Sequence, residues 1–211
     1  MLQGSRVRAL VDYAPEVTTA RELAGTAWKK IDTSAYPTLR LGRGALVVVS
    51  GSPGAGKSTM TTRAIDGIRG SVVLASIEEP PGPSLGARLI RAGVKRETFL
   101  VVGRATVDQL VEIVRANDAV GLVVDSVQPS DYSPRDLRHL LAVLPKLEVI
   151  FAVAQVNAAG RIAGVRALEH EADVVIECEA MRWRLMKSRY QPIDDDNARG
   201  SVLAAEVPNA A

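Results

Sequence analysis

The sequence is poor in cysteine, in aromatic residues and in net charge. Its one cysteine, Cys178, excludes an internal disulfide and a zinc site built from several cysteines. Aromatic residues make up 4% of the chain, so the core must consist mainly of aliphatic side chains. The formal net charge of +2 does not by itself indicate a nucleic-acid-binding protein, although it is compatible with a local basic patch.

Long apolar runs are also missing. No run approaches the roughly 20 residues that a helix needs to cross a bilayer. The N-terminus has no apolar segment of signal-peptide length. Hydrophobic residues at 47% and charged residues at 24% are typical of a globular protein. We therefore expect a cytoplasmic protein that makes no membrane contact, and a single cysteine fits a reducing compartment.

Short aliphatic runs recur along the chain and predict buried strands. They are ALVVVS (45–50), SVVLAS (71–76), FLVV (99–102), VGLVVD (120–125), VIFAVA (149–154) and ADVVIE (172–177). Continuous rather than alternating runs are typical of strands covered on both faces of a parallel sheet. Leucines and valines lie between them at helical spacing, at 107, 110, 111 and 114 and again at 137, 140, 141 and 144. This alternation predicts an α/β fold with a mainly parallel, doubly wound sheet.

Both ends of the chain depart from that pattern. Near the C-terminus, RWRLMKSRY (182–190) and SVLAAEV (201–207) are strand-like and flank a polar segment. They predict an antiparallel hairpin added at the sheet edge. Near the N-terminus, residues 17–30 suggest an amphipathic helix. We expect residues 1–40 to form an N-terminal arm and residues 41–211 to form one domain.

The segment GSPGAGKST follows the first long aliphatic run and opens a helical pattern, which is the context that G-x-x-x-x-G-K-[ST] requires. Glycines let successive N–H groups point at phosphate oxygens, and the helix N-terminus adds partial positive charge. Lys57 would reach the β and γ phosphates of ATP, and Ser58 would bind Mg²⁺. The alternative is a glycine-rich turn that binds nothing. The predicted nucleotide-binding residues are Gly51, Ser52, Pro53, Gly54, Ala55, Gly56, Lys57, Ser58 and Thr59.

Polar residues end three further strands, where α/β sheets place ligand-binding groups. Asp125 could hold Mg²⁺, and Glu78 or Glu79 could activate an attacking water. Gln155 could sense the γ-phosphate by a hydrogen bond. Each has a plainer alternative, because a strand-end carboxylate or amide also caps turns or is merely solvated.

Two basic features follow Gln155. The polar segment 157–169 contains glycine hinges, including Gly164, and the cations Arg161 and Arg166, which could contact nucleic-acid phosphates. The alternative is a surface loop without a ligand. Further on, Lys187 and Arg189 point to one side of a predicted strand and could converge on one anion. The alternative there is a solvated edge strand protected against aggregation.

Several motifs together resemble the ATPase core of bacterial RadA, also called Sms, in the RecA-fold group that includes DnaB helicases and KaiC proteins. They are GSPGAGKST, SIEEP, LVVDSVQ, AGVRALEHEAD and KSRYQP, and they occur in the RadA order. The resemblance extends from about residue 40 to about residue 205. It implies a RecA-like P-loop NTPase fold with a C-terminal antiparallel hairpin.

The resemblance also implies a function and a set of roles. The function is a Mg²⁺-dependent, DNA-stimulated ATPase that acts as a hexamer or filament on single-stranded or branched DNA in recombination, repair or replication. The roles fall on Lys57 and Ser58 (Walker A), Glu78 (catalytic base), Asp125 (Walker B), Gln155 (coupling to DNA), residues 157–169 (DNA-binding loop), and Lys187 and Arg189 (a neighbouring subunit's nucleotide). A KaiC-like regulatory module, switched by nucleotide and bound to a protein partner, is the alternative.

Overall fold

The computed structural model describes residues 19–21, 29–128, 132–156, 166–194 and 198–203. Its strands are β1 (Lys30–Ile31), β2 (Leu41–Gly42), β3 (Ala45–Gly51), β4 (Val72–Ser76), β5 (Phe99–Val102), β6 (Gly121–Asp125), β7 (Val149–Gln155), β8 (Val174–Glu179), β9 (Arg182–Ser188) and β10 (Arg199–Ser201). Its helices are α1 (Lys57–Asp66), α2 (Pro83–Ala92), α3 (Val107–Ala116), α4 (Pro134–Val143) and α5 (Arg166–Glu171).

Eight of these strands form one sheet in the order β10-β9-β8-β3-β7-β6-β4-β5, and β1 pairs separately with β2. The six strands from β8 to β5 in this order are parallel to one another. At one end of the sheet, β9 runs antiparallel to β8, and β10 runs antiparallel to β9. All six aliphatic runs became strands of the parallel part. The predicted α/β fold with a mainly parallel sheet and a C-terminal hairpin is confirmed.

Each face of the sheet is covered by a separate apolar core, because the strands carry aliphatic side chains on both faces. On one face, β3 side chains such as Val47 and Val49 pack with Met60 of α1 and Leu85 of α2. On the other face, Val48 packs in a core with residues of α3, α4 and α5. Capping boxes begin α3 at Thr106 and α4 at Ser133. No helix in the described part of the chain is long and apolar enough to cross a membrane.

The segment before residue 41 packs onto the domain. Tyr36 and Leu39 are buried in the first core. The Tyr36 hydroxyl donates to the Val202 carbonyl at 2.8 Å, and its ring meets Trp183 edge-on with centroids 6.0 Å apart. Of the helix expected at 17–30, positions 20 and 21 are helical, but Lys30 begins β1, so the predicted C-terminal end was wrong. Residues 17, 18 and 22–28 lie outside the described residues.

The second strand of the hairpin lies earlier than expected. The run at 201–207 predicted it, but β10 spans Arg199–Ser201, with Gly200 opposite Trp183 of β9. Val202 directly follows β10; its side chain is buried, and its N–H donates to the Met181 carbonyl at 2.9 Å. Residues 204–207 lie outside the described part.

Candidate functional site

The loop between β3 and α1 has the backbone expected of a phosphate loop, a name we keep for residues 51–59. Gly54 and Gly56 have positive φ angles of +76° and +103°, a region that residues with a Cβ disfavour. A Cβ on Gly51 would lie 2.2 Å from the Cys178 carbonyl oxygen, so a larger residue cannot fit there. No side chain caps α1, which leaves the N–H groups of its first turn available to an anion.

Lys57 lies inside this loop. Its side chain is buried, and its Nζ donates to the carbonyl oxygens of Gly51 at 2.9 Å and Ser52 at 2.8 Å. Burial lowers the pKa of Lys57, and the nearby Asp125, Cys178 and Glu78 oppose that effect. The ammonium group is therefore held where the loop N–H groups would meet a phosphate.

The other predicted residues meet the phosphate loop at the carboxyl edge, which we define as the edge where the parallel strands end. The strands β3, β7, β6 and β4 are neighbours in that order. Asp125 ends β6, and Gln155 ends β7 directly opposite Gly51. Glu78 lies two residues beyond β4, and its N–H is 3.4 Å from the Asp125 carbonyl oxygen. Residues far apart in sequence thus come together at one edge.

Asp125 and Ser58 form a pair of oxygen donors. Asp125 is 7% exposed, and burial raises the pKa of its carboxyl group, against a hydrogen bond from Ser58 and the charge of Arg88. The part of the chain that the structure describes has no cluster of three or more metal-ligating side chains. Mg²⁺ usually takes one or two protein oxygens, with water and substrate phosphates completing its shell. The Ser58–Asp125 pair fits Mg²⁺ of that kind.

The two adjacent glutamates face different groups. Glu78 is exposed, and its Oε1 accepts hydrogen bonds from the Ser126 hydroxyl and from Gln155 Nε2, the latter at 2.6 Å. Glu79 turns toward α2, where its Oε2 accepts from Arg88 Nε at 2.9 Å. A hydrogen bond from Ser84 and then the nearby arginines lower the pKa of Glu79. Only Glu78 is thus held beside the other strand-end residues.

Arg88 of α2 also belongs to this site, although the sequence did not indicate it. Its Nη1 lies 3.5 Å from Asp125 Oδ2 while its Nε binds Glu79. Ser126, which binds Glu78, was missed as well. Arg88 lies in none of the motifs, whereas Ser126 is part of LVVDSVQ, in which only Asp125 was given a role. The role of Arg88 depends on where α2 places it, and that of Ser126 depends on the pairing of β4 with β6.

Known proteins with a similar sequence are RadA proteins, although no protein-family model matches the chain. The DNA repair protein RadA of Bacillus subtilis is 31% identical over 170 residues, which cover 70% of this chain and 37% of that protein. RadA of Aquifex aeolicus is 27% identical over 168 residues, covering 70% and 38%. RadA of Treponema pallidum is 29% identical over 178 residues, covering 74% and 39%. This chain has a RadA-like core. Its fold is RecA-like, and the chain spans less than half the length of these relatives.

In this RadA-like core, Lys187 and Arg189 lie away from the phosphate loop. Ser188 pairs with Val174 at the start of β8, so both cations lie at the amino edge, where the parallel strands begin. Lys187 Nζ donates to the carbonyl oxygens of Glu169 at 3.0 Å and His170 at 2.9 Å. Arg189 Nη1 donates to Asp173 Oδ1 at 3.0 Å. Within one chain, the two cations therefore have different partners.

Asp173 joins several elements at the amino edge of the RadA-like core. It is buried, and its Oδ2 accepts from the Leu46 N–H at 2.9 Å and from Arg138 Nη1 at 2.8 Å. Together with the Arg189 contact, these bonds tie β3, α4, β8 and the end of β9 to one carboxylate. Asp173 lies in both the run ADVVIE and the motif AGVRALEHEAD, but neither pattern predicts this role.

The predicted DNA-binding residues are mostly outside the part that the structure describes. Arg161 and Gly164 belong to the undescribed residues 157–165. Arg166 begins α5, but its side chain is not described. The last residues of the segment 157–169 belong to α5, which returns the chain to β8.

Proposed function

We propose that this chain is an ATPase that binds ATP with Mg²⁺ at the carboxyl edge. The observation that carries the proposal is that Lys57 and Ser58, Asp125, and Glu78, from three separate segments, meet at that edge. Similarity to RadA proteins supports the same conclusion. It favours this function over a KaiC-like regulatory module.

Binding would use the phosphate loop and its two oxygen donors. The loop N–H groups and Lys57 would hold the β and γ phosphates, where they replace water as donors. Ser58 and Asp125 would hold Mg²⁺, which neutralises charge on the transferred phosphoryl group. The Ser58 hydroxyl already lies within hydrogen-bond reach of the Asp125 carboxylate.

Hydrolysis would use Glu78 as the general base. Water attacks the γ-phosphorus, its proton passes to Glu78, and the bond to the bridging oxygen of ADP breaks. The hydrogen bonds from Ser126 and Gln155 orient the Glu78 carboxylate. Glu79 cannot easily take this role because Arg88 and Ser84 already bind it.

We extend the proposal to single-stranded DNA, bound through Arg161, Gly164 and Arg166. The relatives are named as DNA repair proteins, and the segment 157–165 follows Gln155 and β7 directly. Gln155 binds Glu78, so a change at the γ-phosphate position could shift the start of this segment. DNA would then stimulate hydrolysis, as in a protein of repair or recombination.

Self-assembly into a hexamer or filament is part of the proposal. Lys187 and Arg189 lie at the amino edge, while the phosphate loop of the same chain lies at the carboxyl edge. For either cation to contact a nucleotide, a second copy of the chain must supply that nucleotide. Arginine supplied from a neighbour is a known way to stabilise phosphoryl transfer.

The test is the ATP hydrolysis rate of the purified chain with and without single-stranded DNA. We expect DNA to raise the rate of the wild type and of a control, Arg69→Ala/Arg115→Ala, which removes the same charge from exposed helix-flanking and helical positions. Arg161→Ala/Arg166→Ala should keep the basal rate and lose the stimulation. Lys57→Ala supplies the blank. A basal rate that DNA does not change would sink the DNA part of the proposal.

A further inference from the structure

Arg88 occupies an unusual position between two carboxylates. Its side chain is 18% exposed, its Nε donates to Glu79 Oε2 at 2.9 Å, and its Nη1 lies 3.5 Å from Asp125 Oδ2. Nη1 is buried and has no hydrogen-bond acceptor among the described residues. A buried guanidinium that reaches toward a carboxylate at this distance acts on it mainly through charge and by restricting its movement.

Glu79 is itself held in place, so it can fix the guanidinium. Its carboxylate takes a hydrogen bond from Ser84, in the first turn of α2, as well as the one from Arg88. Its backbone carbonyl accepts from the Ser76 hydroxyl at the end of β4, at 2.5 Å. Leu85 anchors the same helix in the core. The contacts therefore run from α2 through Glu79 and Arg88 to Asp125.

Asp125 needs such support because it is buried. A buried carboxylate is stable in its charged form only when cations or donors surround it. The described groups that supply this are Ser58, Arg88 and Lys57, and of these Ser58 and Lys57 are also the expected partners of Mg²⁺ and phosphate. Arg88 is the one among them to which the proposed nucleotide site assigns no other partner, so it would stay with Asp125 when nucleotide binds.

We propose that Arg88, held by Glu79, is a positioning residue that fixes the Asp125 carboxylate for Mg²⁺ binding. The inference rests on the proposed function, since it concerns the same Mg²⁺–nucleotide site. Partners behind a metal ligand fix its orientation, and their loss usually weakens metal binding or activity by about 10–100-fold. A cation that merely repelled Mg²⁺ would have the opposite effect, because its removal would tighten metal binding.

The experiment measures the Kd of ADP by calorimetry in Mg²⁺ and again in EDTA. The Kd in EDTA divided by the Kd in Mg²⁺ is the ratio that reports how strongly metal and nucleotide support each other's binding. We expect Arg88→Ala to lower this ratio about tenfold relative to wild type, Arg88→Lys to lower it less, and Glu79→Gln to lower it in the same direction. The matched control is Arg115→Ala, which removes an exposed arginine from α3 and should leave the ratio unchanged.

The ratio separates positioning from general structural damage. If Arg88→Ala weakened ADP binding equally in Mg²⁺ and EDTA, Arg88 would be structural only, and an increased ratio would identify it as a competing cation. Either result would overturn the inference. If Arg88→Ala does not fold, Arg88→Lys and Glu79→Gln decide the question. A wild type that binds no ADP, or binds it without regard to Mg²⁺, would remove the proposed function as well, whereas an unchanged ratio in the variants removes only the inference.

Discussion

Two neighbouring glutamates show how position decides chemistry at the scale of single residues. Both residues lie in the bend that follows β4. Glu78 reaches Ser126 and Gln155 at the carboxyl edge, while Glu79 reaches Arg88 on α2. Glu78 thus supplies a carboxylate beside the phosphate loop, and Glu79 supplies one that binds α2.

Replacing each glutamate by glutamine should separate these roles. Glu78→Gln should lower the ATP turnover number by about 10²–10⁴-fold, the usual contribution of a general base, while ATP binding is retained. Glu79→Gln should lose much less, because Glu79 faces Arg88 on α2 and takes no proton in the proposed reaction. Steady-state hydrolysis with a parallel nucleotide titration measures both. Equal losses in the two variants would contradict the assignment of the base to Glu78.

Among the secondary-structure elements, the residues that flank the C-terminal hairpin contact the phosphate loop. The Met181 N–H, in the turn between β8 and β9, donates to the Ala55 carbonyl at 3.2 Å. Val202, just after β10, packs beside Gly56 and is fixed in turn by the Tyr36 hydroxyl. The loop that would hold phosphate thus depends on segments more than a hundred residues away in sequence, and we expect changes in that packing to affect nucleotide binding.

Gly56→Ala and Gly44→Ala test this support. Both glycines have positive φ angles, +103° and +79°. A Cβ at Gly56 would lie 3.0 Å from Met181 Sδ and 3.2 Å from Val202 Cγ2, whereas a Cβ at Gly44 meets nothing within 4 Å. Gly44→Ala should cost about 1–2 kcal/mol of backbone strain without changing nucleotide affinity. Gly56→Ala should weaken nucleotide binding as well. Urea unfolding and ADP titration measure the two effects, and an unaltered ADP affinity in Gly56→Ala would contradict this account.

A second junction between elements depends on Asp173. We expect Asp173→Asn to lower the free energy of unfolding by about 3 kcal/mol, because an amide cannot satisfy the Leu46 N–H and two guanidinium groups together. The matched control is Asp118→Asn, whose ion pair with Lys146 is exposed on both sides, and which should cost less than about 1 kcal/mol. Denaturant unfolding compares them. Similar losses of unfolding free energy in the two variants would contradict the role of Asp173 in holding these elements together.

For the whole molecule, the fold and most of the candidate site could be predicted from the sequence. Continuous aliphatic runs predict strands buried on both faces, and residues at the ends of parallel strands meet at one edge whatever the strand order. The contribution of Arg88 could not be predicted, since it depends on how α2 packs against α1 and brings Arg88 to Asp125 at the end of β6. The predicted position of the second hairpin strand was wrong because Arg199–Ser201, partly polar, form β10, and the apolar Val202 that follows is buried beside Gly56.

The central claim concerns the carboxyl edge as a whole, and ATP hydrolysis by the purified chain tests it most directly. The rate should depend on Mg²⁺ and should vanish in Lys57→Ala, whose ammonium lies within the phosphate loop. A thermal unfolding curve for Lys57→Ala, taken alongside, shows that the variant is folded. Hydrolysis that persisted in a folded Lys57→Ala, or a wild type that neither bound nor hydrolysed ATP in Mg²⁺, would contradict the account.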